Sequence, residues 1–113
     1  MTSSEYLFGD IVLLAFPFSD SVRKKKRPAL VLFDGGDSDL VLCRISSKPA
    51  MSEFDIPIDN WAETGLLLPS CIRLKKIATI EMTIVKKKFG ALDIKTKHKV
   101  KNELLNLIKK NIL

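Results

Sequence analysis

Long hydrophobic runs are missing from this chain. No stretch approaches the roughly 20 consecutive apolar residues of a helical membrane span. The opening Met1-Thr2-Ser3-Ser4-Glu5 has neither the basic nor the apolar region of a secretory signal. The expected location is therefore the cytoplasm. Cysteine is scarce: Cys43 and Cys71 are the two in the chain, each among apolar neighbours. There a free thiol acts as a small core filler, and a disulfide is unusual in a reducing compartment. With a single histidine, His98, distant from both cysteines, no zinc site is expected. Acid is short relative to base, 13 Asp and Glu against 19 Lys and Arg, a formal charge of +6. That surplus favours nucleic acid, an acidic protein or an anionic membrane surface as partner without choosing among them. Internal repeats and linkers are also absent. The 113 residues read as one domain, 1–113, with a modest core that packing against a second copy would enlarge.

Apolar residues nonetheless make up 46% of the chain, enough for a globular fold and too many for a disordered one. They come as short stretches separated by turn residues. Residues 10–16 are almost continuously apolar, short enough for a buried strand. Pro17 ends it, because proline cannot donate to a central ladder. Residues 19–26 are polar and charged and read as a loop. A second strand follows, with Pro28 near its start, and runs to about Phe33. Asp34-Gly35-Gly36-Asp37-Ser38-Asp39 is a strong turn signal, and a third strand over 40–46 makes the pair a hairpin. Residues 47–53 read as irregular and 54–57 as a short strand. Residues 59–65 read as a helical turn with Asp59 as N-cap and Gly65 at its close. Residues 70–85 form one long strand, or two with a bulge. Lys86-Lys87-Lys88-Phe89-Gly90 reads as a turn and Ala91-Leu92 as a brief return strand. Asp93 is placed to cap a last helix over 94–111. Val100, Leu104, Leu107 and Ile108 share one face of it, widened by Leu105 and Ile112. Many short strands and one terminal helix predict a mainly β fold, a small bent barrel capped by the helix.

Cations concentrate at Arg23-Lys24-Lys25-Lys26-Arg27. Such a run serves as a solvated loop or as a phosphate footprint, and residue types alone do not separate the two. Arg27 differs from its neighbours because it abuts a strand, which can hold its guanidinium in one direction. That planar fork matches a phosphate and stays protonated at physiological pH. Ser46-Ser47-Lys48 ends the third strand, where hydroxyls either start a polar turn or face a ligand. Hairpin pairing can bring Ser46 and Arg27 within reach of one ligand. Arg73-Leu74-Lys75-Lys76 puts Arg73 and Lys75 on one face, as either a half-exposed strand or a basic binding surface would. His98 reads as a solvent-facing helix residue. The loop acids Asp20, Asp34, Asp37, Asp39, Glu53 and Asp55 are candidate proton acceptors that no spacing separates.

Four segments in order resemble the MazF/PemK toxins of bacterial toxin–antitoxin pairs: Gly9-Asp10-Ile11-Val12, Lys26-Arg27-Pro28-Ala29-Leu30-Val31-Leu32, Ile45-Ser46-Ser47, and Ser70-Cys71-Ile72-Arg73-Leu74. Phe89-Gly90-Ala91-Leu92, leading into the helix, resembles that family's closing segment. Together they cover nearly the whole chain. The resemblance implies the SH3-like barrel of the MazF, PemK and CcdB toxins with its C-terminal helix, and a homodimer. It implies an acidic antitoxin partner, and cleavage of single-stranded RNA without metal or cofactor to inhibit growth. It places the catalytic arginine on Arg27 and the strand-end hydroxyl on Ser46, with Ser47 beside it. The arginine that some members use in a later strand falls on Arg73. Those members carry an aspartate two residues further on; this chain has Lys75, which removes a candidate proton acceptor. On this reading Lys24, Lys25, Lys26, Lys48, Arg73 and Lys75 hold flanking phosphates, and Phe18 stacks a base or fills the core. Lys75 supports the alternative, a non-catalytic barrel that binds nucleic acid or an acidic protein. A related toxin group with the same barrel poisons DNA gyrase and needs no ribonucleolytic arginine.

Overall fold

The computed structural model describes residues 5–17 and 24–112, the side chains at 16, 17, 24 and 25 excepted. The apolar stretch near the N-terminus forms strand β1 (Asp10–Pro17) because both of its faces are covered. Ile11 is buried in one apolar cluster with Leu30, Cys43, Ile45 and Ile72, whereas Val12 and Leu14 are buried in a second with Val31, Leu40 and Leu42. Side chains alternate between faces along a strand, so one sheet divides two cores. A strand buried on both faces shows no polar alternation.

Strands β2 (Lys24–Asp34), β3 (Asp39–Ser46), β4 (Asp55–Pro57), β5 (Cys71–Glu81) and β6 (Val85–Ala91) complete an antiparallel sheet in the order β4-β5-β3-β2-β1-β6. β2 and β3 form the expected hairpin. The carboxylate of Asp34, buried at its base, accepts N–H bonds from Gly36 at 2.9 Å, Glu5 at 2.8 Å and Tyr6 at 2.9 Å, tying the N-terminal segment to the turn. Burial pushes this carboxyl up, but the three hydrogen bonds outweigh it and hold it below its ordinary range.

Four local expectations are corrected. β2 starts at Lys24: Lys24, Lys25 and Lys26 pair with Pro17, Phe16 and Ala15, so the end of the basic run is strand and not loop. Phe18, Asp20 and Arg23 lie outside the described residues. Residues 86–92, expected as a turn and brief return strand, lie for the most part in β6, which pairs with β1 from Asp10↔Ala91 to Leu14↔Val85. A ladder satisfies backbone groups whatever side chains face water, and lysines are at home on an outer strand. The 70–85 stretch is one bulged strand as far as Glu81, Cys43 pairing with Ile77 but Arg44 with Arg73; a 3₁₀ turn, Met82–Ile84, then leads into β6. The turn after β4 is a 3₁₀ turn, Trp61–Thr64, whose N-cap is Asn60 rather than Asp59; Gly65 closes it at φ 90°.

The terminal helix α1 (Ile94–Asn111) starts where expected, with the Asp93 carboxylate accepting the Thr96 N–H at 2.8 Å. Val100 is fully buried, with Leu104 and Leu107 packed beside it. Ile108, Leu105 and Ile112 stay exposed, because they sit roughly 80–140° around the helix from Val100. β4 and β6 are the outer strands of the sheet and do not pair with each other, so this mainly β, barrel-like fold is not closed by hydrogen bonds. The Trp61–Thr64 turn bridges the gap by packing on β6: a Cβ on Gly90 would lie 3.1 Å from the Thr64 carbonyl oxygen. A side chain there would force the two backbones a few tenths of an ångström apart. Among the described residues no helix is long and apolar enough to cross a membrane.

Candidate nucleic-acid interface

Pro28 opens the site. β2 pairs with β1 from Lys24 onward, but with β3 only from Ala29. Proline has no N–H to give, and the ladder to β3 stops beside it. Continuing the Ala29↔Arg44 register by two residues sets Arg27 opposite Ser46, on strand ends no longer bonded to each other. A cleft of about 680 Å³ lies at this end of the sheet, within the roughly 300–1,000 Å³ typical of ligand sites.

Three sides of the fold contribute to it. β2 supplies Lys26, Arg27 and Pro28; the end of β3 and the residues beyond supply Arg44, Ser46, Ser47 and Lys48; β6 supplies Lys87, Lys88 and Phe89. The contact of the Trp61–Thr64 turn with β6 brings Leu66, Leu67 and Leu68 to the remaining wall. Leu66 is buried, whereas Leu67 is 90% exposed and Leu68 58% exposed, so the cleft has an apolar rim. Six cations line it, and among its described residues there is neither carboxylate nor imidazole. Charges of one sign over apolar walls focus a field that gathers polyanions.

Arg27, Arg44 and Lys48 have no ion-pair partner among the described residues, so their charges stay available to a ligand. Lys88 Nζ lies 3.6 Å from the Asp10 carboxylate, and Lys87 Nζ stands 5.0 Å from the centre of the Phe89 ring. The Ser46 hydroxyl oxygen accepts the Lys48 N–H at 3.1 Å. This local turn bond orients Oγ and leaves its proton to donate.

The cleft thus brings together Arg27, Ser46, Ser47, Lys26 and Lys48 from the sequence-derived set. The side chains of Lys24 and Lys25 lie outside the described residues. Arg73 and Lys75 do not line the cleft. Arg73 instead donates to the Asp55 carboxylate at 2.7 Å and to the Pro49 carbonyl at 3.4 Å, and Lys75 is exposed on β5. His98 is exposed on α1, away from the cleft. Burial pushes the Cys43 thiol up to about 12 and also raises that of Cys71, against the pull of the nearby Arg73. Neither thiol reaches the cleft, so no thiolate nucleophile operates there. Among the described residues no group of three or more His, Cys, Asp or Glu is placed to hold a metal ion.

Sequence reading misses Arg44, Lys87 and Lys88. For Arg44 a signal exists, since the alternation of β3 puts it on the face of Ser46. For the two lysines there is none, because their place depends on β6 pairing with β1.

The profile of the family described as PemK-like, MazF-like toxin of type II toxin–antitoxin system matches residues 8–108. The backbone is similar to that of an endoribonuclease solved in complex with its cognate antitoxin from a mycobacterial species. That match has a TM-score of 0.75 and 13% identity, over 92% of this chain and 95% of the other. It is similar as well to the MazE–MazF structure from Deinococcus radiodurans, with a TM-score of 0.74 and 18% identity over 90% and 94% of the two chains. A third likeness is to the Mycobacterium tuberculosis toxin MazF-mt6, with a TM-score of 0.69 and 18% identity over 87% and 96%. No curated protein sequence matches the chain.

Proposed function

Because the chain belongs to the family of PemK-like, MazF-like toxins of type II toxin–antitoxin systems, we propose that it is an endoribonuclease that cuts single-stranded RNA in the cleft between β2, β3 and β6. The observation that carries this reading is the convergence of Arg27, Ser46 and Ser47 on one cation-lined cavity. RNA supplies its own nucleophile. The ribose 2′-oxygen attacks the adjacent phosphorus, the bond to the 5′-oxygen breaks, and the products are a 2′,3′-cyclic phosphate and a 5′-hydroxyl. The 2′-hydroxyl proton leaves to solvent and the departing 5′-oxygen takes one up. The protein's part is to align the three oxygens and to stabilise charge growing on the phosphoryl group. Arg27 is the stabiliser of that charge. Ser46 and Ser47 donate to a non-bridging oxygen, and Lys26, Arg44, Lys48, Lys87 and Lys88 hold the flanking phosphates. The exposed Leu67 and Leu68 offer a face on which bases rest.

The same cleft suits an antitoxin segment that is acidic and partly apolar, as expected of a chain whose structural relatives were solved with an antitoxin. We assign the protein to the cytoplasm as a homodimer of this single domain. A second reading rests on the lack of carboxylate and imidazole in the cleft among the described residues: a barrel that binds RNA or an acidic protein without cutting it. Incubating the pure protein with a long single-stranded RNA in EDTA decides between them. Discrete cuts with cyclic-phosphate ends support the endoribonuclease; bound but intact RNA supports the binding barrel.

A further inference from the structure

Arg73 and Asp55 lie one strand apart in a row that runs Arg44, Arg73, Asp55 across β3, β5 and β4. The two arginines of this row have different fates. Arg44 lines the cleft with no ion-pair partner among the described residues. Arg73 is held by its neighbour: Nη1 donates to Asp55 Oδ2 at 2.7 Å, and the side chains are only 14% and 6% exposed. The same Oδ2 accepts the Met51 backbone N–H at 2.8 Å, and Arg73 Nη2 donates to the Pro49 carbonyl at 3.4 Å. At the start of β5, the Cys71 thiol donates to the Lys48 carbonyl at 3.5 Å. The irregular segment after β3 is therefore stitched to β4 and β5 at residues 48, 49 and 51. Its first residues, Ser47 and Lys48, line the cleft.

We propose that Arg73 is a positioning residue of this site: with Asp55 it clasps the 47–51 segment, which sets Ser47 and Lys48 at the cleft, and it takes no phosphate itself. A charge neutralised at 2.7 Å and mostly withdrawn from water is a poor phosphate ligand, because a phosphate would have to displace the carboxylate first. A guanidinium fork is nevertheless well suited to bridge a carboxylate and a carbonyl from two segments at once. The clasp also accounts for the neighbour two residues on. Lys75 is exposed outside the cleft, so an acid at that position is not needed to hold Arg73; Asp55 on the adjacent strand does so.

The inference rests on the cleft being the RNA site, and its test separates the two. Arg73→Gln, Asp55→Asn and the double variant are compared with the wild type in RNA cleavage, in binding of a short labelled single-stranded RNA as a function of salt, and in amide hydrogen exchange. Each single variant should cut roughly 10- to 10²-fold more slowly, the scale of a catalytic group misplaced by about 1 Å, and the double variant no more slowly than the worse single. The salt slope of Arg73→Gln should equal that of the wild type, and the Met51 amide should exchange faster in all three. A salt slope reduced by about 0.7, the signature of one fewer phosphate neutralised on a single strand, would overturn the clasp. So would tighter RNA binding by Asp55→Asn, the result expected if a phosphate-binding Arg73 were being released. Unchanged exchange at Met51 would overturn it without reference to RNA. If the wild type leaves RNA uncut, the proposed function fails while the exchange experiment still decides the clasp.

Discussion

Replacing Arg27 by alanine removes the guanidinium that β2 holds across from Ser46, and its consequence can be bounded from the structure. A unit charge about 4 Å from a phosphoryl oxygen contributes roughly 4 kcal/mol at an effective dielectric near 20. The cleft is open to solvent and keeps Lys26, Arg44, Lys48, Lys87 and Lys88, which retain part of the field. The expected loss is therefore nearer the low end of the range for one transition-state stabiliser, roughly 10²-fold in rate or about 2.7 kcal/mol. Stability should hardly change, since Arg27 has no ion-pair partner among the described residues and substitutions of that kind move it by about 0.5 kcal/mol. Arg27→Lys should recover only part of the rate, because an ammonium keeps the charge but not the bidentate fork. The assay is single-turnover cleavage of a labelled single-stranded RNA in EDTA, with the 2′,3′-cyclic phosphate scored and thermal unfolding run in parallel. A wild type that cuts and an Arg27→Ala variant that unfolds normally and cuts equally well would refute the assignment of Arg27.

Ser46→Ala should slow the same reaction less than Arg27→Ala does, because a neutral donor is worth about half a charge-assisted one; an equal or larger loss in the cleavage assay would count against its role. Replacing Lys26, Lys48 and Lys87 together by alanine should flatten the salt dependence of RNA binding by about 0.7 for each phosphate no longer neutralised, and an unchanged slope would show that the cleft lysines are merely solvated. Asp34 sits below its ordinary carboxyl range in the folded chain, so its contribution is full above the unfolded pKa of about 3.9 and is lost as pH falls through the lower folded value. Thermal melts should then show an acid-side decline below about pH 4 that Asp34→Asn makes shallower, and pH profiles of identical shape would contradict it. Light scattering should report a mass near twice 12.7 kDa; a monomer at high micromolar concentration would argue against the dimer.

Much of the architecture is legible in the sequence because its causes are short-range. The glycines and aspartates of 34–39 make the hairpin turn, and Asp93 caps a helix three residues before the Thr96 amide it binds. The first candidates in the cleft are legible in part: Arg27 and Ser46 stand at strand ends on either side of a hairpin that the turn makes, but the register that sets them opposite also depends on a bulge between Val31 and Phe33. What only the tertiary structure decided depends on contacts distant along the chain. Lys86, Lys87 and Lys88 carry the composition of a turn, and β1, at the other end of the chain, makes them a strand; that pairing alone delivers Lys87 and Lys88 to the cleft. Three helix positions expected on the apolar face, Leu105, Ile108 and Ile112, stay exposed because the sheet offers α1 a stripe only wide enough for Val100, Leu104 and Leu107. Arg73 and Asp55 show no special spacing in sequence, yet adjacent strands set them 2.7 Å apart. Turn chemistry, capping and periodicity act within a few residues and can be read from them, whereas strand neighbours, and the charges they bring face to face, are set by which pairing buries both cores at once.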